Sequence, residues 1–165
     1  MTGGEVDPAR FRRAMGRWAT GVTVLTTRSG GHAHAMTADT LTSVSLDPLL
    51  VLVSVEQEAR FHDAVLDAAV FGVSVLGADQ RPVADWFATR GRPLHGQLDH
   101  VGHTDGPVTG SPLLDGALAA LECRVRDAHT AGDHTIVVAD VVGLALPDTV
   151  GPALVYYRGQ YGSLP

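Results

Sequence analysis

"MTADTLTSVSLDPLLVLVSV", residues 36 to 55, carries the end of one strand, a second strand, a turn and a third strand. The segment "LTSVSL" (41–46) stops at Asp47-Pro48, where proline removes a ladder donor and restricts the residue before it. "LLVLVSV" (49–55) is apolar at nearly every position, so both of its faces call for cover, as in a central strand of a barrel. Upstream, "GVTVLTT" (21–27) alternates and is rich in β-branched residues, "SGG" (29–31) turns the chain, and "HAHAMTA" (32–38) returns. Together they predict a hairpin. Before the hairpin, Asp7 stands where an N-cap belongs, Pro8 opens a helix, and Phe11, Met15 and Trp18 share one face; that face is expected to pack on a sheet.

Downstream, "QEARFHDAVLDAA" (57–69) spaces Phe61, Val65 and Ala68 as a helix does, and "FGVSVL" (71–76) returns to strand. "ADQRPVADWFATR" (78–90) predicts a second such helix, with Pro82 in its first turn and Val83, Trp86 and Phe87 as its apolar stripe. Residues 91–112 hold Gly, Pro, His and Asp without a sustained period, which predicts a long surface loop of the kind that serves as a lid. Strands follow at 117–129, 134–146 and 153–157, separated by "TAGD" and "PDTVGP". Many short strands with few helices predict a closed or partly closed antiparallel barrel with helices packed outside.

A chain of 165 residues with 45% hydrophobic content can bury one core, which predicts one domain. No apolar run approaches the roughly 20 residues that cross a bilayer, and the opening residues are polar, so a soluble, cytoplasmic protein is expected. A formal charge of −6 argues against broad nucleic-acid binding, which needs clustered cations. The one cluster, "RFRR" (10–13), reads as a solvated helix face. The single cysteine, Cys123, alternates with Leu121 and Val125 and reads as a buried strand thiol.

Eight histidines raise metal binding. His32 and His34 would point to one face of a strand, yet no third ligand stands at a diagnostic spacing, and no metal is expected. There is no G-x-S-x-G elbow, no P-loop and no G-x-G-x-x-G. The hydroxyls of Thr37, Thr40, Thr42, Ser43 and Ser45 are dense for a strand-turn-strand and suit a flat polar ring edge or a phosphate. The same residues are ordinary strand formers, and by themselves they leave the two readings level. "AGDHTIVV" (131–138) sets Asp133 and His134 at the mouth of a strand. That pair could be a dyad, half a metal site, a cofactor contact or a turn, and "TAGD" (130–133) reads as a turn.

Six blocks, "RWATGVTVLTT", "MTADTLTSVSLDPLLVLVSV", "FGVSVL", "LAALECRV", "GDHTIVVADV" and "LVYYRGQYGSL", occur in this order over about residues 10–164. Together they resemble the flavin reductase-like family, short-chain enzymes with an FMN-binding split barrel. The resemblance implies a homodimer with flavin near the subunit interface, and hydride transfer from NADH or NADPH to flavin N5 of FMN or FAD. It also implies delivery of reduced flavin to a separate flavin-dependent monooxygenase. Such chemistry requires no protein nucleophile, because the cofactors carry the reaction and the protein positions them.

Residue by residue, the resemblance lays the flavin ring and ribityl chain along Thr37, Ala38, Asp39 and Thr40, with Ser54 and Val55 beside them and Ser43 and Ser45 as further contacts. Arg60 and His62 match the helix start that handles flavin phosphate, and Phe87 a flavin contact. His134 matches the histidine bordering the nicotinamide side and is the one expected catalytic residue; Tyr157, Arg158 and Tyr161 match a C-terminal segment lining the same pocket.

The chain departs from the family pattern in three places. Ala35 and Asp39 stand where Gly and Asn are usual, a double proline is reduced to "DPLL", and "RPLHGQLDHVGHTDGP" (92–107) lacks the usual Lys-Phe pattern. An ionised Asp39 would repel a nearby phosphate, so it bears on flavin affinity and on the choice between FMN and FAD. Two alternatives stay open at this point: a flavin-binding protein of the same fold without reductase activity, and a flavoenzyme that retains its flavin to act on an organic substrate.

Overall fold

The computed structural model describes residues 5–148 and 150–165; the polar opening residues 1–4 and Thr149, in the expected break at 147–152, lie outside them. In chain order the elements are α1 (Pro8–Met15), β1 (Thr20–Gly21), β2 (Thr23–Ser29), β3 (His32–Ala38), β4 (Thr42–Leu46), β5 (Leu49–Glu56), α2 (Arg60–Ala68), β6 (Val70–Val75), a 3₁₀ turn (Ala78–Gln80) and α3 (Arg81–Ala88). They continue as β7 (His103–Asp105), β8 (Pro112–Leu114), β9 (Ala119–Ala131), β10 (His134–Ala145), β11 (Ala153–Tyr157) and β12 (Gln160–Leu164).

Seven strands form one antiparallel sheet in the order β3-β2-β6-β9-β10-β5-β4. Laid flat, seven strands would span roughly 29 Å. Its two edge strands, β3 and β4, are joined through residues 39–41 alone, a reach of at most about 14 Å. The sheet therefore has to curl until its edges approach, which makes a barrel split along the β3/β4 seam. At that seam Thr40 Oγ1 accepts from Ser54 N–H at 3.0 Å and donates to the Ser54 carbonyl at 3.1 Å. The partly closed antiparallel barrel expected from the strand pattern, and the split barrel that the resemblance implies, are the fold observed.

The alternation of β5 sends Val51, Val53 and Val55 inward and leaves Leu50, Leu52 and Ser54 half-buried on the outer face. β10 answers in register, with Val137 opposite Val53 and Thr135 opposite Val55. The barrel interior is filled by these valines with Leu25, Phe71, Val73 and Cys123, and α2 contributes Phe61 and Val65 to it. Burial pushes the Cys123 thiol up to about 12, helped by the neighbouring Glu122 charge. A second apolar cluster lies outside the barrel, where Phe87 and Ala84 of α3 meet Val22, Val24, Leu76 and Leu154. Leu76 ties this layer to the three-stranded sheet β1-β11-β12, donating to Val22 and accepting from Leu154.

Several expectations are corrected. No residue of α1 is buried: Phe11 is 59% exposed and Met15 50%, and Trp18, beyond the end of the helix, 71%, so among the described residues this apolar face rests on no sheet. Its N-terminus forms as expected, with Asp7 accepting from Ala9 and Arg10 N–H and Pro8 in the first turn. The helix anticipated at 57–69 begins only at Arg60, because Gln57 N–H is drawn to the Asp133 carbonyl of the next hairpin. The helix anticipated at 78–90 breaks into the 3₁₀ turn and α3, with Pro82 in the first turn of α3. Residues 91–112 are not wholly irregular: β7 and β8 pair there, and Gln97 and Leu98 are buried. The β9-β10 turn is tighter than "TAGD" suggested, since pairing runs to Ala131 opposite His134. Gly132, at φ +64°, supplies the positive φ that a two-residue hairpin loop demands.

Candidate functional site

Two cavities flank the segment that crosses the seam. The larger, about 1300 Å³, is bounded by α1, by Asp39, Thr40 and Ser43, and by Tyr156 and Arg158. The smaller, about 400 Å³, lies between β3 and the ends of β5 and α3, where Thr37 and Phe87 meet Glu56, Arg60, Arg90 and Arg92.

The expected flavin segment thus serves both sides. Thr37 lines the smaller cavity and donates to the Ala84 carbonyl at 2.7 Å, which ties α3 to β3. Ala38 is buried, and its carbonyl accepts from Thr23 Oγ1 at 2.8 Å. Asp39 is exposed on the larger cavity beside Thr40. Ser43 lines that cavity too, whereas Ser45 accepts from Asp47 N–H at 3.2 Å and caps the β4-β5 turn.

Alternation separates the remaining residues. The Val55 side chain is sealed in the barrel, so only its backbone faces the strand ends. His62 is held on the inner side, its Nδ1 donating to Asp63 at 2.9 Å and its Nε2 2.9 Å from Thr135 Oγ1. His134 pairs directly with Glu56 on the outer face, in the row that also carries Ser54 and Ile136. The two histidines therefore address opposite faces of the sheet, and only His134 stands near the strand end that Glu56 contributes to the smaller cavity.

His134 is 41% exposed, and its Nδ1 donates to Asp133 Oδ1 at 2.7 Å. That bond, more than any other influence, holds the Asp133 carboxyl below the usual carboxylate range. Gln57 Nε2 donates to the His134 carbonyl at 3.1 Å and pins the backbone of the turn. The Asp-His pair is real but local, joining the turn to the first residue of β10, with Nδ1 occupied and Nε2 left for a ligand.

Of the expected C-terminal residues, Arg158 lines the larger cavity. Tyr156, not Tyr157, lines the larger cavity, and its ring packs against Tyr161 at a centroid distance of 5.3 Å. Burial, then Asp85 and Tyr156, push the Tyr161 phenol up, with Asp39 adding to the shift and Arg81 opposing it. Tyr157 is exposed and borders neither cavity. Arg158 adopts a positive φ of 52° and donates its N–H to the Gly16 carbonyl at 2.8 Å, joining α1 to the body.

Residues that the sequence reading did not place in the site complete it. Arg12, Arg13 and Arg17 line the larger cavity rather than merely facing solvent. Arg92 is built into the wall of the smaller one, with Nη1 donating to the Phe87 carbonyl at 2.7 Å and Nη2 to the Ala35 carbonyl at 2.8 Å. Burial, then the Arg60 charge, pull its proton affinity below the usual guanidinium value.

A flavin nucleotide offers a polar ring edge, hydroxyls and phosphate, and the two cavities supply matching groups: threonine and serine hydroxyls at the seam, guanidinium groups on both walls. Buried polar atoms without a protein partner point the same way, Thr20 Oγ1 at the larger cavity and His34 Nδ1 and Arg92 Nε at the smaller. Among the described residues the histidines make one close pair but no ligand cluster. His34 Nε2 donates to the Ser29 carbonyl at 3.3 Å, while His32 Nδ1 lies 2.9 Å from His95 Nδ1. Among the described residues, no three His, Cys, Asp or Glu side chains cluster as metal ligands.

Known proteins resemble this chain over nearly its whole length. It is 42% identical to an NADH-dependent flavin reductase of a Rhodococcus species over 163 residues, 97% of this chain and 88% of that protein. The crystal structure of BorF, the flavin reductase component of a bacterial two-component tryptophan halogenase, superposes with a TM-score of 0.90 at 46% identity, covering 96% of this chain and 99% of that one. An NADH:FAD oxidoreductase of Streptomyces globisporus, solved in complex with NAD and FAD fragments, gives a TM-score of 0.89 at 34% identity, covering 99% and 98%. Residues 15–165 match the flavin reductase like domain model, so the split barrel with its two-sided seam belongs to the flavin reductase-like family.

Proposed function

We propose that this protein is an NADH-dependent flavin reductase that transfers hydride from the nicotinamide to FMN or FAD and supplies the reduced flavin to a partner monooxygenase or related oxygen-using flavoenzyme. NADPH is the secondary donor candidate. The observation that carries the reading is the crossing segment 37–40, which lines a cavity on either side, Thr37 on one and Asp39 and Thr40 on the other. Relatives named as NADH-dependent reductases and as reductase components support it.

The flavin and nicotinamide supply the hydride chemistry when bound; the protein binds, orients and excludes water. Thr37, Ala38, Asp39 and Thr40 would run along the ring and ribityl chain, with Ser43 and Ser54 as hydroxyl contacts. Arg60 would meet phosphate, and His134 would set the nicotinamide against the outer strand face through Nε2. Tyr161 and Arg158 would close the C-terminal side, Tyr161 through Tyr156.

The exposed faces of Phe11, Met15 and Trp18 support a homodimer in which a second copy covers α1 and completes the larger cavity. Sedimentation showing only monomer at working concentration would remove that part. Residues about 10–164 would act as one unit. Among the described residues no helix is long and apolar enough to cross a membrane, and a cytoplasmic setting would give access to NADH.

The test is an anaerobic mixture of protein, NADH and FMN or FAD followed at the flavin absorbance. Bleaching well above the protein-free rate is expected; no acceleration sinks the reductase reading. A preparation that stays yellow through desalting would instead favour a retained flavin acting on an organic substrate.

Asp39→Asn provides a second check. Asp39 lines the larger cavity, and its charge acts on Tyr161 there. Removing a charge near a phosphate-bearing ligand is worth on the order of 1 kcal/mol in a solvated site, so flavin binding is expected to tighten about fivefold. An unchanged or weaker Kd in a fluorescence titration would mean the carboxylate acts elsewhere.

A further inference from the structure

The smaller cavity holds three guanidinium groups, and they are not equivalent. Arg92 is locked into main-chain carbonyls and lies over the Phe87 ring at 5.7 Å. Arg60 donates to the Arg92 carbonyl. Arg90 alone holds a carboxylate: its Nη2 is 3.0 Å from Glu56 Oε2 and 3.3 Å from Oε1. The Arg90 side chain is 84% exposed and that of Glu56 35%, so both reach the open rim of the cavity. Glu56 is the last residue of β5, directly opposite His134.

We propose that Glu56 is a built-in competitor for the phosphate of the incoming ligand and thereby sets its affinity. The carboxylate and a ligand phosphate require the same guanidinium. An ion pair this exposed is weak. A phosphate monoester brings more charge and three acceptor oxygens, so it can displace the carboxylate from Arg90. Arg92 cannot make this exchange, because leaving its place would strand several carbonyls. Glu56 therefore weakens phosphate binding and favours release, as suits a flavin that must leave after reduction. This inference rests on the flavin reductase reading for its ligand, but Arg90 and Glu56 are placed independently of it.

The test compares the wild type with Glu56→Gln, Arg90→Ala and the double variant. Fluorescence titration with FMN and riboflavin is one arm, KM for NADPH and NADH a second, and the thermal shift in inorganic phosphate against chloride at matched ionic strength a third. Glu56→Gln is expected to tighten FMN about two- to fivefold, the range of an exposed ion pair, and to leave riboflavin unchanged. Arg90→Ala should weaken FMN, and in its background Glu56→Gln should have no further effect. A shift in KM for NADPH with NADH unchanged, FMN being unaffected, would support the competition and assign the phosphate to the nicotinamide nucleotide.

Equal shifts for FMN and riboflavin, a Glu56→Gln effect that survives Arg90→Ala, or no shift in any arm overturns the proposal. If flavin is not reduced by the wild type, the reductase reading fails. The phosphate arm still decides this one: inorganic phosphate should stabilise Glu56→Gln more than the wild type, and equal stabilisation rejects it.

Discussion

Glu122→Ala is expected to lower the melting temperature by roughly 6–12 °C, following from a loss of about 3 kcal/mol in a domain of this size. Glu122 sits in mid-strand on β9 and is only 2% exposed. Its Oε2 accepts from Val108 N–H at 3.0 Å, from Thr109 N–H, and from Thr109 Oγ1 at 2.8 Å. Alanine would leave these donors facing a hole, and each orphaned donor costs about 1–3 kcal/mol.

The surroundings are shaped for this carboxylate. A Cβ at Gly143 would stand 2.7 Å from Glu122 Oε1, and one at Gly106 would collide with the carboxyl group itself. Glu122→Gln keeps the shape and one acceptor oxygen, so it should lose much less. A calorimetric melt that moves by under about 2 °C for Glu122→Ala would show that water satisfies the loop as well as the carboxylate does. Hydrogen exchange at 106–111 gives a local readout, with protection at Val108 and Thr109 expected to fall first.

His134→Ala is expected to lower kcat/KM for the nicotinamide by about tenfold to a hundredfold, the scale on which misplacement by an ångström acts, with the flavin Kd within about twofold of the wild type. The imidazole is fixed at Nδ1 by Asp133 and its backbone by Gln57, so its rotamer is settled before a ligand arrives. It stands on the outer face, away from the inner-face Thr135 that holds His62. Stopped-flow reduction under anaerobic conditions, with a parallel flavin titration, separates the two effects. Equal losses of flavin binding and hydride transfer would show that His134 only shapes the turn.

The strand pattern was readable because most strands alternate against a single interior. The run at 49–55 looks apolar on both faces, and only the structure separates the buried Val51, Val53 and Val55 from the half-buried Leu50 and Leu52. That same alternation could have separated Val55 from Ser54, which the expectation grouped, and could have pointed to Tyr156 where the expectation named Tyr157. β12, with its "YGS", offered no apolar period to read, and β7 and β8 are only three residues long. The face of α1 misled for another reason: a helical stripe says that something must cover it, not that the same chain does. Glu56, Arg90 and Arg92 form no local motif. They meet because α3 packs on β3 and the residues after it run past the end of β5, a fact of topology rather than of spacing.

The placement of Cys123 bears on how such a protein ages at its task. Reduced flavin that escapes into air generates hydrogen peroxide beside its source, and peroxide attacks thiolates. With its thiol walled in between Phe71 and Val141 and reluctant to ionise, the chain offers little to that oxidant at its single cysteine. The half-exposed Met15 thioether on α1 is the more open sulfur. Sulfoxide formation there is enzymatically reversible and leaves the barrel untouched. Wear would thus fall on the rim of the larger cavity, which Met15 lines, and the staves of the barrel would outlast many turnovers.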